Sequence, residues 1–375
     1  MRVFILFAAG LFLKAQACYC QAIVDIKNPL DIARNEEVLS VPWAEILKAY
    51  PSIDTTMFIV FNSNTGKQLP YQLEYRDSKQ VQNLLILVSL PANGKLVLQI
   101  KKGVRDAFPD KTYCRYVPER KEDFAWENDK IAFRMYGKAL ESTDENAYGM
   151  DVWVKRTDSL ILNERYKRGE YHIDHGDGLD YYHVGFSLGA GDSDPYVDDS
   201  IWYSKNYHYW KVLDNGPLRS AFELEYDEWN VSGQEVRVTK TISLDAGSQL
   251  SRVEDNYYFS KTPVMPVVTG IVKRNEPGAE FFDERNGVMG YWEPKNTQDG
   301  TTGVGCVFLR AVQQMMMKKG HLLTESLVKP GQALIYYTGA AWDRAGEITS
   351  SEQWFGYLQS FKKKLEHPLQ ITVKK

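Results

Sequence analysis

Cysteine is scarce in this 375-residue sequence, which contains only four. Two of them, Cys18 and Cys20, lie close to the N-terminus, and the other two are Cys114 and Cys306. One possible disulfide in so long a chain excludes a small fold held together by disulfide bridges. Cys114 and Cys306 could pair in an oxidising compartment or remain two separate buried thiols. Stability must therefore come from a hydrophobic core, for which the chain has ample length.

Long apolar runs and an excess of positive charge are also missing. Beyond residue 13, no apolar stretch approaches the roughly 20 residues that a membrane-spanning helix needs, so we expect no transmembrane segment. The net charge is −4, and removal of residues 1–22 takes away Arg2 and Lys14 but no acidic residue, which changes it to −6. A mildly acidic surface argues against a nucleic acid as partner.

The first residues have the pattern of an export signal. A basic start is followed by an apolar stretch over residues 3–13 that is too short to span a bilayer, and then by a small-x-small site that ends at Ala17. We predict that residues 1–22 form a signal peptide, cleaved after Ala17 or Ala22, and that the protein is periplasmic or secreted. A lipoprotein anchored through Cys18 is an alternative, although the preceding residues do not match the usual lipidation pattern.

Most of the remaining chain has the pattern of β-strands. Short apolar runs at residues 57–61, 84–88 and 96–100 are bounded by Asn, Gly and Pro, as is typical of buried strands. Around residues 131–135 and 222–227 apolar and other side chains alternate, which indicates half-buried antiparallel sheets. The sequence therefore predicts an all-β protein.

Two helices are predicted in addition. Ser40 is expected to cap a helix over residues 42–50, and Ser350 one near the C-terminus. An apolar stripe follows Ser350 at helical spacing: Trp354, Leu358, Phe361 and Leu365. We interpret this stripe as core packing.

A segment rich in charge and proline between residues 103 and 125 predicts a domain boundary. We therefore expect a small N-terminal β-domain over residues 23–110 and a large β-sandwich domain over residues 111–375.

Histidine is concentrated in one part of the chain, since four of the six histidines lie between His172 and His208. In residues 171–183, imidazoles and carboxylates alternate around two glycines, which combines groups that titrate near neutrality with a backbone free to bend. Acid–base chemistry is our preferred interpretation, and the predicted catalytic residues are His172, His175, His183, Tyr182 and Arg165.

Two alternatives for this segment remain. The first is a catalytic metal held by nitrogen and oxygen ligands, namely His172, Asp174, His175 and His183. Their spacing matches no established ligand motif, so no cofactor is firmly predicted and a divalent metal is possible. The second is a polar loop whose histidines only satisfy buried carbonyl groups.

Aromatic residues are abundant around the histidines and in two later clusters. Tyrosine and tryptophan rings stack on the apolar faces of sugars while their polar atoms bind hydroxyl groups. On this basis the predicted substrate-binding residues are His208, Trp210, Trp292, Trp342 and Asp343. The alternative is that these aromatics are ordinary strand residues.

Several motifs together resemble one protein family. Besides the export signal and the histidine segment, they are Asn28-Pro29-Leu30, Leu69-Pro70-Tyr71-Gln72-Leu73, residues 210–219, Gly339-Ala340-Ala341-Trp342-Asp343 and Trp354-Phe355-Gly356-Tyr357-Leu358. In these respects nearly the whole mature chain resembles domain-of-unknown-function family 4861, secreted proteins of polysaccharide-degrading bacteria. The resemblance implies a fold like that of galactose mutarotase.

The same resemblance implies β-elimination, as a dehydratase or lyase, on uronic-acid-containing oligosaccharides. Such a reaction needs a base for the proton beside the carboxylate, a cation or donor for the enolate-like charge, and an acid for the departing oxygen. Histidine or tyrosine can fill the first and third roles, and Arg165, Lys167 or Arg168 the second. The alternatives are a non-catalytic sugar-binding protein and a mutarotase or epimerase on the same fold.

Overall fold

The computed structural model describes residues 21–145 and 147–375. The predicted signal peptide, with Cys18, lies outside these residues except for Gln21 and Ala22, which begin the first strand. Within the described residues no helix is long and apolar enough to cross a membrane.

Two small sheets form the N-terminal part. Their strands are β1 (Gln21–Lys27), β2 (Arg34–Pro42), β3 (Phe58–Asn62), β4 (Tyr71–Glu74), β5 (Asn83–Leu90) and β6 (Lys95–Lys102), which confirms the three predicted apolar strands. One sheet contains β1, β6 and β3, the other has the order β2-β5-β4, and a common apolar core lies between them.

The larger part begins with β7 (Thr112–Val117), β8 (Asp123–Asn128), β9 (Ile131–Met135), β10 (Tyr148–Lys155), β11 (Gly178–Leu179), β12 (Phe186–Val197), β13 (Ser200–Ile201), β14 (Tyr209–Asn215), β15 (Arg219–Glu225) and β16 (Trp229–Val231). It continues with β17 (Gln234–Asp245), β18 (Leu250–Tyr258), β19 (Met265–Val272), β20 (Ala279–Asp283), β21 (Val288–Trp292), β22 (Thr302–Phe308), β23 (Gln314–Lys318), β24 (His321–Val328) and β25 (Leu334–Trp342).

These strands form two large sheets. The ten-stranded sheet has the order β23-β24-β19-β12-β10-β9-β8-β7, with β11 beside β10 and β13 beside β12. The nine-stranded sheet has the order β14-β15-β17-β18-β25-β22-β21-β20, with β16 beside β17. Aromatic and aliphatic side chains of both sheets fill the space between them, so the prediction of an all-β sandwich is confirmed.

The last strand, β26 (Gln370–Lys374), returns to the N-terminal part and pairs antiparallel with β1. Leu369, Ile371 and Val373 pack against the N-terminal core. The division of the chain near residue 110 stays a prediction. The return of the C-terminal residues to the first sheet was not predicted.

The two predicted helices are present, with one correction. Helix α1 spans Trp43–Ala49, but its cap residue is Pro42 without a side-chain hydrogen bond, because Ser40 belongs to β2. The C-terminal helix spans Ser351–Glu366, and the Ser350 hydroxyl accepts a hydrogen bond from the Gln353 backbone N–H as expected. Its apolar stripe packs against the nine-stranded sheet.

A further helix, over Leu162–Arg168, was not predicted from the sequence. Its first turn is held by the Glu127 carboxylate of β8, which accepts hydrogen bonds from the backbone N–H groups of Ile161 and Leu162, each at 2.8 Å. Gly169 ends the helix with φ of 76°, a conformation that glycine adopts without strain. In chain order this helix is α2, and the C-terminal helix is α3.

Both cysteines of the described chain, Cys114 and Cys306, are free and buried in the sandwich core. They therefore form no bridge with each other. Burial raises the pKa of each thiol to about 12, so neither is a reactive thiolate at neutral pH.

Candidate functional site

The outer face of the ten-stranded sheet carries a group of buried charges. Along β8, β9 and β10 every second side chain points away from the core, and at three of these positions lie Asp123, Arg134 and Asp151. Arg134 and Asp151 are cross-strand partners, and the guanidinium Nη2 lies 2.5 Å from the Asp151 carboxylate. Asp180, from the histidine segment, adds a carboxylate 3.1 Å from the same Nη2. We call these four residues the Arg134 cluster.

The Arg134 cluster contains more negative than positive charge. One guanidinium faces three carboxylates, and all four side chains are at most 5% exposed. Burial raises the pKa of Asp123 to about 6, although Arg134 opposes this shift. Burial, and next the neighbouring Asp151, raise the pKa of Asp180 well above its ordinary value. The cluster is therefore able to take up a proton at a pH where ordinary carboxyl groups are ionised.

His172 lies at the solvent-exposed edge of the Arg134 cluster, with its side chain 67% exposed. Its Nδ1 is 2.7 Å from the backbone carbonyl oxygen of Asp180 and 3.7 Å from the Asp180 carboxylate. Because a carbonyl oxygen can only accept, Nδ1 must carry the hydrogen in this bond. The neutral ring then has a free electron pair on Nε2, the form that a general base needs.

Tyr171 and Arg120 lie beside His172. The ring centroids of Tyr171 and His172 are 4.7 Å apart, and the Tyr171 ring stacks on Trp153 of β10 at 4.8 Å. Nε of Arg120 donates a hydrogen bond of 3.0 Å to the Tyr171 hydroxyl oxygen. In the part of the chain that the structure describes, the phenol hydrogen has no acceptor. We call His172, Tyr171 and Arg120 the His172 site.

The His172 site thus combines a base, a hydroxyl donor and a cation. Sequence analysis placed His172 there but missed Tyr171 and Arg120. Tyr171 begins the histidine segment, whereas Arg120 comes from the proline- and charge-rich turn before β8. Only the folded sheet brings these two segments together.

The other predicted catalytic residues have separate surroundings. Arg165 is fully buried on α2 and donates to the carbonyl oxygens of Val154 and Asp177, at 2.9 and 2.8 Å. Burial lowers the pKa of Arg165 to about 10, although Asp177 opposes this. These contacts tie the histidine segment to β10.

The Tyr182 hydroxyl is buried and donates to the Gly189 carbonyl oxygen, while the Arg274 guanidinium covers its ring. The His183 side chain is exposed, and its carbonyl oxygen accepts from Arg274. His175 lies 3.7 Å from Glu170. Tyr182 and His183 thus share Arg274 as a partner and His175 contacts Glu170, and none of these partners belongs to the Arg134 cluster.

The predicted substrate-binding residues all lie on, or directly beside, three strands of the nine-stranded sheet, β14, β21 and β25. His208 lies 3.2 Å from Asp227, and Trp210 stacks on Tyr116 with a centroid distance of 4.9 Å. Trp292 belongs to the apolar group beneath α3.

Trp342 is buried, and its ring nitrogen donates to the Asp299 carbonyl oxygen. The Arg156 guanidinium covers the Trp342 ring at 5.0 Å and pairs with Asp174. The Asp343 carboxylate accepts a hydrogen bond from the backbone N–H of Thr301. This edge of the sandwich meets the histidine segment through the hydrogen bond between Tyr181 and Thr302.

The histidine segment does not form a metal site in this structure. Among the described residues, no group of three or more His, Cys, Asp or Glu side chains is arranged to hold a metal ion. Asp174, one of the proposed ligands, instead pairs with Arg156 and accepts the backbone N–H groups of Gly176 and Gly178.

Comparison with known proteins places the chain in a family. The family model described as Domain of unknown function (DUF4861) matches residues 26–371. The chain belongs to this family. It is 30% identical over 372 residues to the Uncharacterized protein P7 of Formosa agariphila, an alignment that covers 94% of this chain and 93% of the relative.

Two solved structures resemble the fold at low sequence identity. A protein in glycosyl hydrolase family 38 from Enterococcus faecalis has a TM-score of 0.51 at 8% identity, and an alpha-mannosidase from Enterococcus faecalis V583 has a TM-score of 0.49 at 10% identity. Each match covers 95% of this chain, which spans only about half of each bacterial protein, 47% and 46% respectively. For this member of the DUF4861 family, the first likeness shows a shared fold.

Proposed function

We propose that this protein is an exported carbohydrate-active lyase that acts on uronic-acid-containing oligosaccharides by β-elimination at the His172 site. The family resemblance supplies the reaction type. A carbohydrate as substrate also agrees with the name of the glycosyl hydrolase family 38 protein that shares the fold. The observation that carries the proposal is the hydrogen bond from His172 Nδ1 to the Asp180 carbonyl oxygen, which leaves Nε2 of an exposed imidazole free as a base.

The proposed reaction uses three groups of the site. His172 Nε2 removes the proton on C5, next to the uronate carboxylate, and the electron pair of that C–H bond forms the C4–C5 double bond. The C4–O bond breaks, and the departing oxygen takes a proton from the Tyr171 hydroxyl, so that water or a sugar alcohol leaves. Arg120 stabilises the resulting phenolate through the hydrogen bond of its Nε to the Tyr171 oxygen. Its Nη2 pairs with the exposed Glu145 at 2.9 Å, and in this scheme the substrate carboxylate replaces Glu145 there. Solvent then returns the proton from His172 to Tyr171.

Arg165 and Asp180 have positioning roles in this proposal. Arg165 donates to the Asp177 carbonyl oxygen and holds the segment that carries His172 against β10. The Asp180 backbone fixes the tautomer of His172, and the Asp180 carboxylate lies close enough to stabilise the imidazolium after proton transfer. A metal is not required for this scheme, since Arg120 supplies the positive charge.

The test is an ultraviolet screen of plant and algal uronic oligosaccharides, because the unsaturated uronate absorbs where the substrate does not. We expect a rise in absorbance on at least one of them, with or without shortening of the oligosaccharide. Measurable binding without any absorbance rise would contradict the lyase and favour a sugar-binding protein. A change in optical rotation alone would favour a mutarotase or epimerase.

A further inference from the structure

A cavity of about 300 Å³ lies between the N-terminal part and the outer face of the nine-stranded sheet, and no residue of the His172 site lines it. Its walls come from β2, from β17 and β18, and from α3. The volume is at the lower end of the roughly 300–1,000 Å³ that is common for small-molecule sites. Such sites also occur preferentially where two parts of a protein meet.

Most charged side chains of the cavity wall already have a partner of opposite charge. Arg34 lies 2.6 Å from Glu37, Arg219 lies 2.5 Å from Asp245, and Arg252 pairs with Glu254. The permanent cations of the wall are thus neutralised within the protein, and they leave little charge for a ligand.

Lys364 of α3 is the exception. It lines the cavity, and among the described residues its Nζ has no carboxylate partner and no hydrogen-bond acceptor. Burial lowers the pKa of Lys364, and the nearby Arg34 acts in the same direction, while Glu37 opposes them. A partly buried ammonium group without a counter-ion is costly, and a bound anion would offset this cost.

Aromatic rings form the wall next to Lys364. Phe361 lies one turn earlier on α3 and packs edge-on against Tyr337 of β25, with a centroid distance of 5.1 Å. Both rings are only partly buried, so each leaves surface for a ligand. A cation beside apolar ring faces is suited to a compact ligand that has one negative charge and an apolar face.

From this arrangement we propose that the cavity is a second binding site, which takes a single uronic acid or a similar sugar acid with its carboxylate on Lys364. The sugar part of this proposal rests on the proposed function, whereas the anionic part rests on the cavity itself. The site would hold a product or a terminal sugar unit away from the reacting groups.

Isothermal titration with D-glucuronate, D-glucose and inorganic sulfate tests the proposal on the full mature protein. We expect saturable binding of glucuronate, at least tenfold weaker binding of glucose and sulfate, and at least a tenfold loss of glucuronate affinity in Lys364→Ala. Lys364→Arg, which keeps the charge, should retain most of the affinity for glucuronate. This result would show that the loss in Lys364→Ala comes from the missing charge and not from unfolding.

Lys363→Ala is the matched control, because Lys363 is the preceding residue of α3 and pairs with Asp31 on the surface, at 2.9 Å. It should bind glucuronate within twofold of the wild type. Elimination activity should be unchanged in both alanine variants, so a failure of this site is distinguishable from a failure of the lyase proposal. Absence of saturable binding, equal affinity for glucose, or an unaltered Lys364→Ala protein would each overturn the proposal. Sulfate binding as tight as that of glucuronate would overturn the assignment to a sugar acid.

Discussion

Replacement of Arg134 by methionine tests whether the Arg134 cluster is held together by its single cation. Methionine keeps the apolar stem of arginine but has no guanidinium group, so the change removes the ion pairs and also the contacts of the guanidinium with the rings of Trp153 and Tyr171. Asp123, Asp151 and Asp180 would then be left buried together without the guanidinium that pairs with all three.

The expected cost follows from the burial of these groups. Removal of one partner from a buried ion pair typically destabilises a protein by about 3–5 kcal/mol, because an uncompensated charge remains. With three carboxylates involved, we expect the upper part of this range. The carboxyls of the variant should bind protons more tightly than those of the unfolded chain. Its stability should therefore fall as the pH rises, and its deficit should be larger at pH 8 than at pH 5.

Urea unfolding of the wild type and Arg134→Met at pH 5 and pH 8 measures both effects. Arg76→Met is the control, because Arg76 is an exposed partner of Glu254 at 3.3 Å and its loss should cost less than about 1 kcal/mol. An Arg134→Met protein within about 1 kcal/mol of the wild type at pH 8, or one whose deficit does not shrink in acid, would refute this reasoning.

Two further predictions concern the buried charges. Burial raises the pKa of Asp255 in the sandwich core to about 6, from an ordinary value of 3.8, so between these two pH values the folded protein binds more protons than the unfolded chain. As the pH rises from about 4 to about 7, the free energy of unfolding of the wild type should therefore fall by up to about 3 kcal/mol relative to that of Asp255→Asn, as measured by urea unfolding. Parallel stability curves for the two proteins would contradict this prediction. Glu127→Gln should destabilise the protein by about 3–5 kcal/mol, because Lys155 loses its buried counter-ion at 2.8 Å. It should also speed hydrogen exchange in α2, because the Glu127 carboxylate accepts the hydrogen bonds of the first turn. Unchanged exchange over residues 161–169 would argue against Glu127 as the anchor of α2.

The parts of the fold that depend on local pattern could be predicted from the sequence. The apolar run at residues 84–88 predicts a buried strand, and the stripe that begins at Trp354 predicts which face of α3 is buried. Neither prediction depends on which residues pack against these surfaces. The cap formed by Ser350 is also local, since its partner is three residues away. Such features need no knowledge of distant residues.

The parts that depend on distant residues could not be predicted. Helix α2 begins where it does because Glu127, 34 residues earlier, accepts the hydrogen bond of Ile161. The alternation in β9 indicated an outer face open to solvent, yet Arg134 is buried because α2 and the histidine segment cover that face. The position of the histidine segment on this face also brings Asp180 to Arg134 and Tyr171 to Arg120. These contacts join distant parts of the chain, so the candidate site was only partly predicted.

In the proposed reaction, His172 is the base that removes the C5 proton. The most direct measurement is the rate of absorbance increase on a responsive uronic oligosaccharide for wild type, His172→Ala and His175→Ala, with thermal stability recorded for each. His175 is the matched control, because it lies in the same segment and its partner among the described residues is Glu170. We predict that His172→Ala loses at least 100-fold in rate with nearly unchanged stability, in keeping with typical general-base contributions of about 10²–10⁴, and that His175→Ala stays within about threefold of the wild type. A His172→Ala protein that is folded and as active as His175→Ala would show that His172 is not the base.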